Sequence, residues 1–151
     1  MKKLFMIYLV ICFSTSSLYA QNRTIKGRVL DEDLETLPYV SILVNDTVIV
    51  GRTDLNGYFQ ISIPLSEKRL LFNFVGMESA STELADKCNE VEVVMMLSST
   101  YDFITPRKIE KLQLKRFKKL PERHKKAFEK GLFKTGNACY KREYLPYCKA
   151  K

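Results

Sequence analysis

A two-residue hydrophobic period in the first half of the chain limits the fold more than any other feature. Apolar residues recur at every second position in three short runs, at residues 25–29, 40–44 and 59–63. Successive side chains of a strand point to opposite faces of a sheet, so this period predicts strands with one buried face. The turn-rich segments DEDLETLP, VND and DLNG separate the runs. Short strands at this spacing, with no helical pattern between them, predict an all-β sandwich.

Three further segments bring the identified strands to six, in a predicted sandwich of about seven strands. Residues 70–75 and 91–97 are apolar at nearly every position, which is expected of strands at the centre of a sandwich. Residues 78–84 form a weaker strand candidate, which we place at an edge.

The first 20 residues have the three parts of a secretory signal peptide. Two lysines precede an apolar run at residues 4–13, and the small residue Ala20 precedes Gln21. The apolar run is too short to span a bilayer, and no later segment approaches the roughly 20 apolar residues that a spanning helix needs. Cys12 lies inside the apolar run after Ile11, which does not favour a lipid-modified cysteine. We therefore expect an exported mature chain without a transmembrane segment.

Four motifs between Thr24 and Leu97 carry a family resemblance. They are G-x-V-x-D at 27–31, Pro38 before the second strand, T-D-x-x-G-x-F at 53–59 and F-V-G at 74–76. In order and spacing, the segment resembles the carboxypeptidase regulatory-like domain, a transthyretin-like β-sandwich. We assign this domain to residues 23–97.

The resemblance implies a non-catalytic interaction or scaffold module rather than an enzyme. Such domains occur beside peptidase domains and at the start of TonB-dependent outer-membrane receptors. The expected location is the periplasm or outer membrane of a Gram-negative bacterium, and the expected partner is an envelope protein. Family members usually carry Tyr where Met77 stands here, so a shared surface use of that position is not carried over. The alternative is an accessory domain of a secreted peptidase or receptor system, or a hydrolase with an unrecognised site.

The stretch RTDLNGYFQI allows two interpretations, a cation site or a turn. Asp54 and Asn56 are spaced like the first ligands of a calcium loop, and Gly57 follows them. Such a loop needs a bidentate Glu at its twelfth position, where this chain has Leu65. An Asp carboxylate can instead accept backbone N–H groups two or three residues on. The turn is therefore favoured, with Asp54, Asn56 and Gly57 as its structural residues.

No catalytic, metal-binding or cofactor-binding residue is predicted. The single histidine, His124, stands between Arg123 and Lys125, where positive charge disfavours the imidazolium that a general base must become. The cysteines after the signal peptide form no C-x-x-C pair, and no glycine-rich phosphate loop is present.

The cysteines suit an exported protein, and two of them are candidates for a disulfide. Cys139 and Cys148 lie in the same aromatic-rich segment, where Pro146 and the residues between them could turn the chain back. Cys88 is then expected to be free and buried, with an intermolecular bond as the alternative.

Residues 98–151 form a basic tail that differs from the sandwich in charge and in hydrophobic period. Residues 21–97 hold 7 Lys and Arg against 12 Asp and Glu, whereas the tail holds 16 against 5. Residues 105–120 read as an amphipathic helix with Thr105 as its cap and Pro106 at its first position. A second helix is expected to open at Pro121. The apolar stripe of the first helix consists of Ile109, Leu112, Phe117 and Leu120.

Two interpretations of the tail remain. Its apolar stripe either packs on the sandwich or lies against something outside it. Lys115, Lys118 and Lys119 are candidate contacts to an anionic surface of lipid, lipopolysaccharide phosphate or acidic glycan, while the plainer alternative is a solvated helix face. Nucleic acid is not an expected partner, because the signal peptide directs the chain out of the cytoplasm.

Overall fold

The computed structural model describes residues 22–99 and 103–146. The predicted signal peptide, residues 1–20, and Cys148 lie outside the described residues. The described elements, in chain order, are β1 (Asn22–Leu30), β2 (Ser41–Val44), β3 (Val48–Arg52), β4 (Tyr58–Pro64), β5 (Arg69–Asn73), β6 (Ala80–Leu84), β7 (Glu90–Val94), α1 (Pro106–Phe117), α2 (Leu120–Glu129) and β8 (Tyr140–Glu143).

The strands form two sheets that share one hydrophobic core. One sheet has three strands in the order β4-β1-β7, and the other has five in the order β3-β2-β5-β6-β8. All neighbouring strands are antiparallel except β1 and β7. The predicted all-β sandwich with a helical extension is confirmed. The described residues hold eight strands, and β3 and β8 are the two that the sequence segments did not identify.

The core forms where the apolar positions of the two-residue period meet between the sheets. Phe59 of β4 packs edge-on against Phe72 of β5, with ring centroids 5.6 Å apart. Ile25 and Val29 of β1 are fully buried, as their alternation predicts. Gly27 lies between them at a close approach of two strands, where an added Cβ would sit only 1.8 Å from the Val91 carbonyl oxygen.

The positions of β6 and β7 in the sheets differ from those that the sequence predicts. β6 was expected at an edge, but it lies inside the five-stranded sheet because β8 pairs with it. β7 was expected at the centre, but it is an edge strand of the three-stranded sheet. One face of β7 meets the core through Val91 and Val93. The other face lies under the tail, where Val94 joins a second apolar cluster and Glu92 is also buried. The residues of this second apolar cluster are Leu30, Val94, Met96, Leu120, Ala127 and Phe133.

The helices begin close to where the sequence places them, but the predicted apolar stripe of the first helix is wrong at two positions. The helix ends at Phe117, so Leu120 belongs to α2, and Leu112 is not buried. Thr105 precedes α1 and Pro106 is its first residue. Ile109 is buried, whereas Leu112 is 39% exposed and Gln113 takes the buried position. The Gln113 side chain donates a hydrogen bond to Glu78, so a polar contact of the helix with the sandwich decides which face is turned inward.

The tail is also joined to the sandwich by a disulfide between Cys88 and Cys139, whose Cα atoms lie 5.4 Å apart. The expected pair of Cys139 with Cys148, and the expected free Cys88, are therefore wrong in this structure. The cause is a long-range contact. Because β8 pairs with β6, Cys139, which precedes β8, lies beside Cys88 in the turn before β7. The Ala85 amide donates to the Cys139 carbonyl at the same place.

Candidate functional site

Asp54 and Gly57 shape the turn into β4. The Asp54 carboxylate accepts the backbone N–H groups of Asn56 at 2.9 Å and Tyr58 at 2.8 Å. Gly57 has φ +76°, and a Cβ at this position would lie 2.6 Å from the Val29 carbonyl oxygen. One oxygen of the carboxylate accepts both N–H groups, which lie two and four residues on, whereas the turn interpretation expected groups two or three residues on.

The same turn occurs a second time, at Asp31. Its carboxylate accepts the N–H groups two and four residues later, those of Asp33 at 2.9 Å and Glu35 at 2.8 Å. Leu34, with φ 69°, stands where the other turn has glycine. Among residues 22–99 and 103–146, no group of three or more His, Cys, Asp or Glu is arranged to hold a metal ion.

His124 is packed into the structure of the tail. Its ring lies 4.9 Å from the Phe133 ring, between centroids, and its Nε2 is 3.0 Å from the Thr135 carbonyl oxygen. Because a carbonyl can only accept, Nε2 is the donor of this hydrogen bond. His124 is buried in this position. The contacts are those of a structural histidine.

Arg116 fixes the inner face of α1 to the sandwich. Its guanidinium forms ion pairs with Glu32, and with Glu78 at 3.7 Å, and it donates to the Leu97 carbonyl at 2.8 Å. Burial raises the pKa of Glu78, although the Arg116 charge opposes that shift. The inner face of α1 therefore carries polar and charged side chains as well as the apolar Ile109. Several contacts together set the orientation of the helix. No local sequence pattern indicates these contacts, since Glu32 and Arg116 are far apart in the chain.

The outer face of α1 is basic. Lys115, Lys118 and Lys119 are all exposed, and Lys108 and Lys111 extend the same row along the helix. Four of these lysines line a shallow groove with Leu112 and Leu114, which are 39% and 37% exposed. We call this surface the basic face, and it consists of Lys108, Lys111, Leu112, Leu114, Lys115, Lys118 and Lys119.

None of the five lysines of the basic face takes part in an ion pair within the described residues. On α2, in contrast, Lys125 and Lys126 face Glu129 and Glu122 one turn away. The basic face thus combines uncompensated positive charge with exposed leucines. Lys115, Lys118 and Lys119 are the predicted contacts to an anionic surface, and that role stays a prediction. Lys108 and Lys111 follow from the same helical period, whereas Leu112 had been assigned to the buried stripe.

The fold and its sites define a class of protein, a β-sandwich module closed by a disulfide-linked helical tail and without a recognisable catalytic constellation in the described residues. The chain belongs to the family of the CarboxypepD_reg-like domain, whose family model matches residues 25–103, just over half of the chain. This family has a non-catalytic regulatory fold. No curated protein matches the chain.

The matched segment ends shortly before α1, so the two helices and β8 lie outside it. Neither helix of the described residues is long and apolar enough to cross a membrane. The basic face therefore belongs to the part of the chain that the family match does not cover.

Proposed function

We propose that this protein is an exported, non-catalytic interaction module of the Gram-negative cell envelope, and that its basic face holds it against an anionic lipid surface. The signal-peptide pattern of residues 1–20 supports export. The family match supports a non-catalytic role. The basic face carries the proposal, because its lysines and leucines together suit the boundary between lipid headgroups and acyl chains.

The charge distribution favours a surface over a small ligand. Lysines 108, 111, 115, 118 and 119 extend along the whole of α1 and its end, so they can meet several headgroups at once. Each basic residue near an anionic membrane contributes about 1 kcal/mol, and the attraction falls off over about 10 Å at 0.1 M salt. Arg116 and Gln113 hold the opposite face of the helix on the sandwich, so binding presents the whole domain in one orientation.

Vesicle sedimentation tests this function. The mature protein is mixed with vesicles of phosphatidylcholine, with or without phosphatidylglycerol. We expect binding only to the anionic vesicles, and release as the salt concentration is raised. Replacing Lys115, Lys118 and Lys119 with Glu should weaken binding by roughly tenfold or more, because three attractive contacts become repulsive.

A charge-matched variant serves as the control. Replacing Lys26, Arg52 and Lys87 with Glu alters the net charge equally, but these exposed residues lie on the sandwich. This variant should keep most of the vesicle binding, and both variants should melt close to the unaltered protein. If anionic vesicles do not bind the protein at low salt, or if both variants lose binding equally, the basic face is not a lipid-binding surface. In that case, a protein that binds through the same lysines becomes the expected partner of the basic face.

A further inference from the structure

A pocket of about 430 Å³ lies between the tail and the edge of the sandwich. It is lined by the connection between α1 and α2, the loop at residues 136–138, and strands β7 and β8. Phe117, Leu120, Pro121 and Val94 contribute apolar walls. Its size falls within the range of about 300–1,000 Å³ that is usual for small-molecule sites. The pocket exists only because the tail packs on the sandwich.

The charged residues that line the pocket are all basic. Lys118 and Arg142 line it, and no carboxylate is among its lining residues in the part of the chain that the structure describes. One N–H of the Arg142 guanidinium donates to the Val94 carbonyl, and the guanidinium stands over the Phe117 ring at 5.9 Å from its centroid.

Arg142 has no carboxylate partner within ion-pairing distance among the described residues. Glu32 and Glu78 act on it electrostatically, but both pair with Arg116. Burial lowers the pKa of Arg142, as expected for a cation that has lost solvent. A partly buried guanidinium without a paired anion is costly, and an anionic ligand removes that cost.

We propose that this pocket binds one amphipathic anion, a single alkyl chain with a carboxylate or phosphate headgroup. The apolar walls of Val94, Phe117 and Leu120 receive the chain, and Arg142 with Lys118 binds the headgroup. A guanidinium presents N–H groups that match the oxygens of either headgroup. This inference does not depend on vesicle binding by the basic face, because a soluble monomeric ligand occupies the pocket.

Calorimetric titration of the mature protein with decanoate, decyl phosphate and decanol tests the inference. We expect one molecule of either anion to bind per chain, with decanol at least about tenfold weaker because it lacks the charge-assisted hydrogen bonds. Tighter binding of decanoate would indicate a fatty acid as the ligand class, and tighter binding of decyl phosphate would indicate a phosphate lipid. Failure of both anions to bind, or equal affinity for decanol, overturns the proposal.

Two substitutions locate the binding. Ala138→Trp places an indole in the pocket from an exposed loop, and it should abolish binding of decanoate. Ala85→Trp makes the same change on an exposed turn outside the lining residues, and it should leave binding intact. Arg142→Met should reduce the preference for decanoate over decanol. If Arg142→Met does not fold, the comparison of decanoate with decanol on the unaltered protein still decides the role of the headgroup. Binding that survives Ala138→Trp contradicts the location.

Discussion

At the scale of single residues, two turns of the same design tolerate different side chains. Leu34 and Gly57 share positive φ, but the position of Gly57 leaves no room beside the Val29 carbonyl oxygen. We predict that Gly57→Ala lowers the free energy of unfolding by at least about 2 kcal/mol, from backbone strain plus the clash. Gly76→Ala is the control, since Gly76 has φ +81° and nothing within 4 Å of an added Cβ, and it should cost about 1 kcal/mol. Urea unfolding of both variants measures this, and equal losses would show that the clash contributes nothing.

Tyr140 gives the fold a dependence on alkaline pH. Its hydroxyl donates to the Glu92 carbonyl at 2.6 Å, and burial raises its pKa to about 12. An unfolded tyrosine has a pKa of about 10, so the unfolded chain loses this proton first as the pH rises. The contribution of Tyr140 to stability should therefore be constant below about pH 10 and fall between about pH 10 and 12, by at most about 1.4 kcal/mol per pH unit. Tyr140→Phe should flatten that part of the curve, and a decline as steep as that of the unaltered protein would assign it to other groups.

At the scale of elements, α1 shows which residues attach the tail. Ile109 is buried on its inner face and Leu112 is partly exposed on its outer face. We predict that Ile109→Ala costs about 2–4 kcal/mol of unfolding free energy, as truncation of a buried side chain does. Leu112→Ala is the matched control and should cost less than about 1 kcal/mol. Thermal unfolding of the two variants measures the difference. Similar losses would mean that α1 has turned to bury Leu112, as its predicted stripe required.

The elements also show what local sequence can predict here. Strands such as β1 and β4 were predictable, because their two-residue period records which side chains are buried. β8 was not predictable, because its sequence YKRE has no apolar alternation. Its Tyr140 and Arg142 side chains instead reach the carbonyl oxygens of Glu92 and Val94 on the open edge of β7. These contacts join residues 48 positions apart, and no short pattern records them.

At the scale of the whole molecule, the tail closes the sandwich on two sides. It extends the five-stranded sheet past β6, and it covers the outward face of β7. Edge strands with free backbone groups invite pairing with other chains, and the Tyr140 and Arg142 side chains occupy two such carbonyl oxygens on β7, while β8 becomes the new edge of its sheet. The pocket beside Arg142 and the orientation of the basic face both depend on this arrangement. Folding of residues 23–97 without the tail stays a prediction.

The disulfide decides how firmly the tail is held. Cys88 and Cys139 are 51 residues apart, and closing a loop of this length restricts the unfolded chain by about 4 kcal/mol. We predict that replacing both with Ala lowers the free energy of unfolding by about this amount. The variant should also bind more of a hydrophobic dye, because loosening of the tail uncovers Leu30, Val94 and Met96. Urea unfolding and dye fluorescence, each repeated under reducing conditions, measure the two effects.

A variant at the remaining tail cysteine separates the two possible pairings. Cys148→Ala removes a thiol without touching the Cys88–Cys139 bond, so it should leave both the free energy of unfolding and the dye signal unchanged. The pairing of Cys139 with Cys148 predicts the reverse, because that loop is short and does not cross from the tail to the sandwich. In that case Cys148→Ala would destabilise the protein and Cys88→Ala would not. Peptide mapping of the unreduced protein identifies the bond directly, and a Cys139–Cys148 peptide would contradict the covalent attachment of the tail to the sandwich.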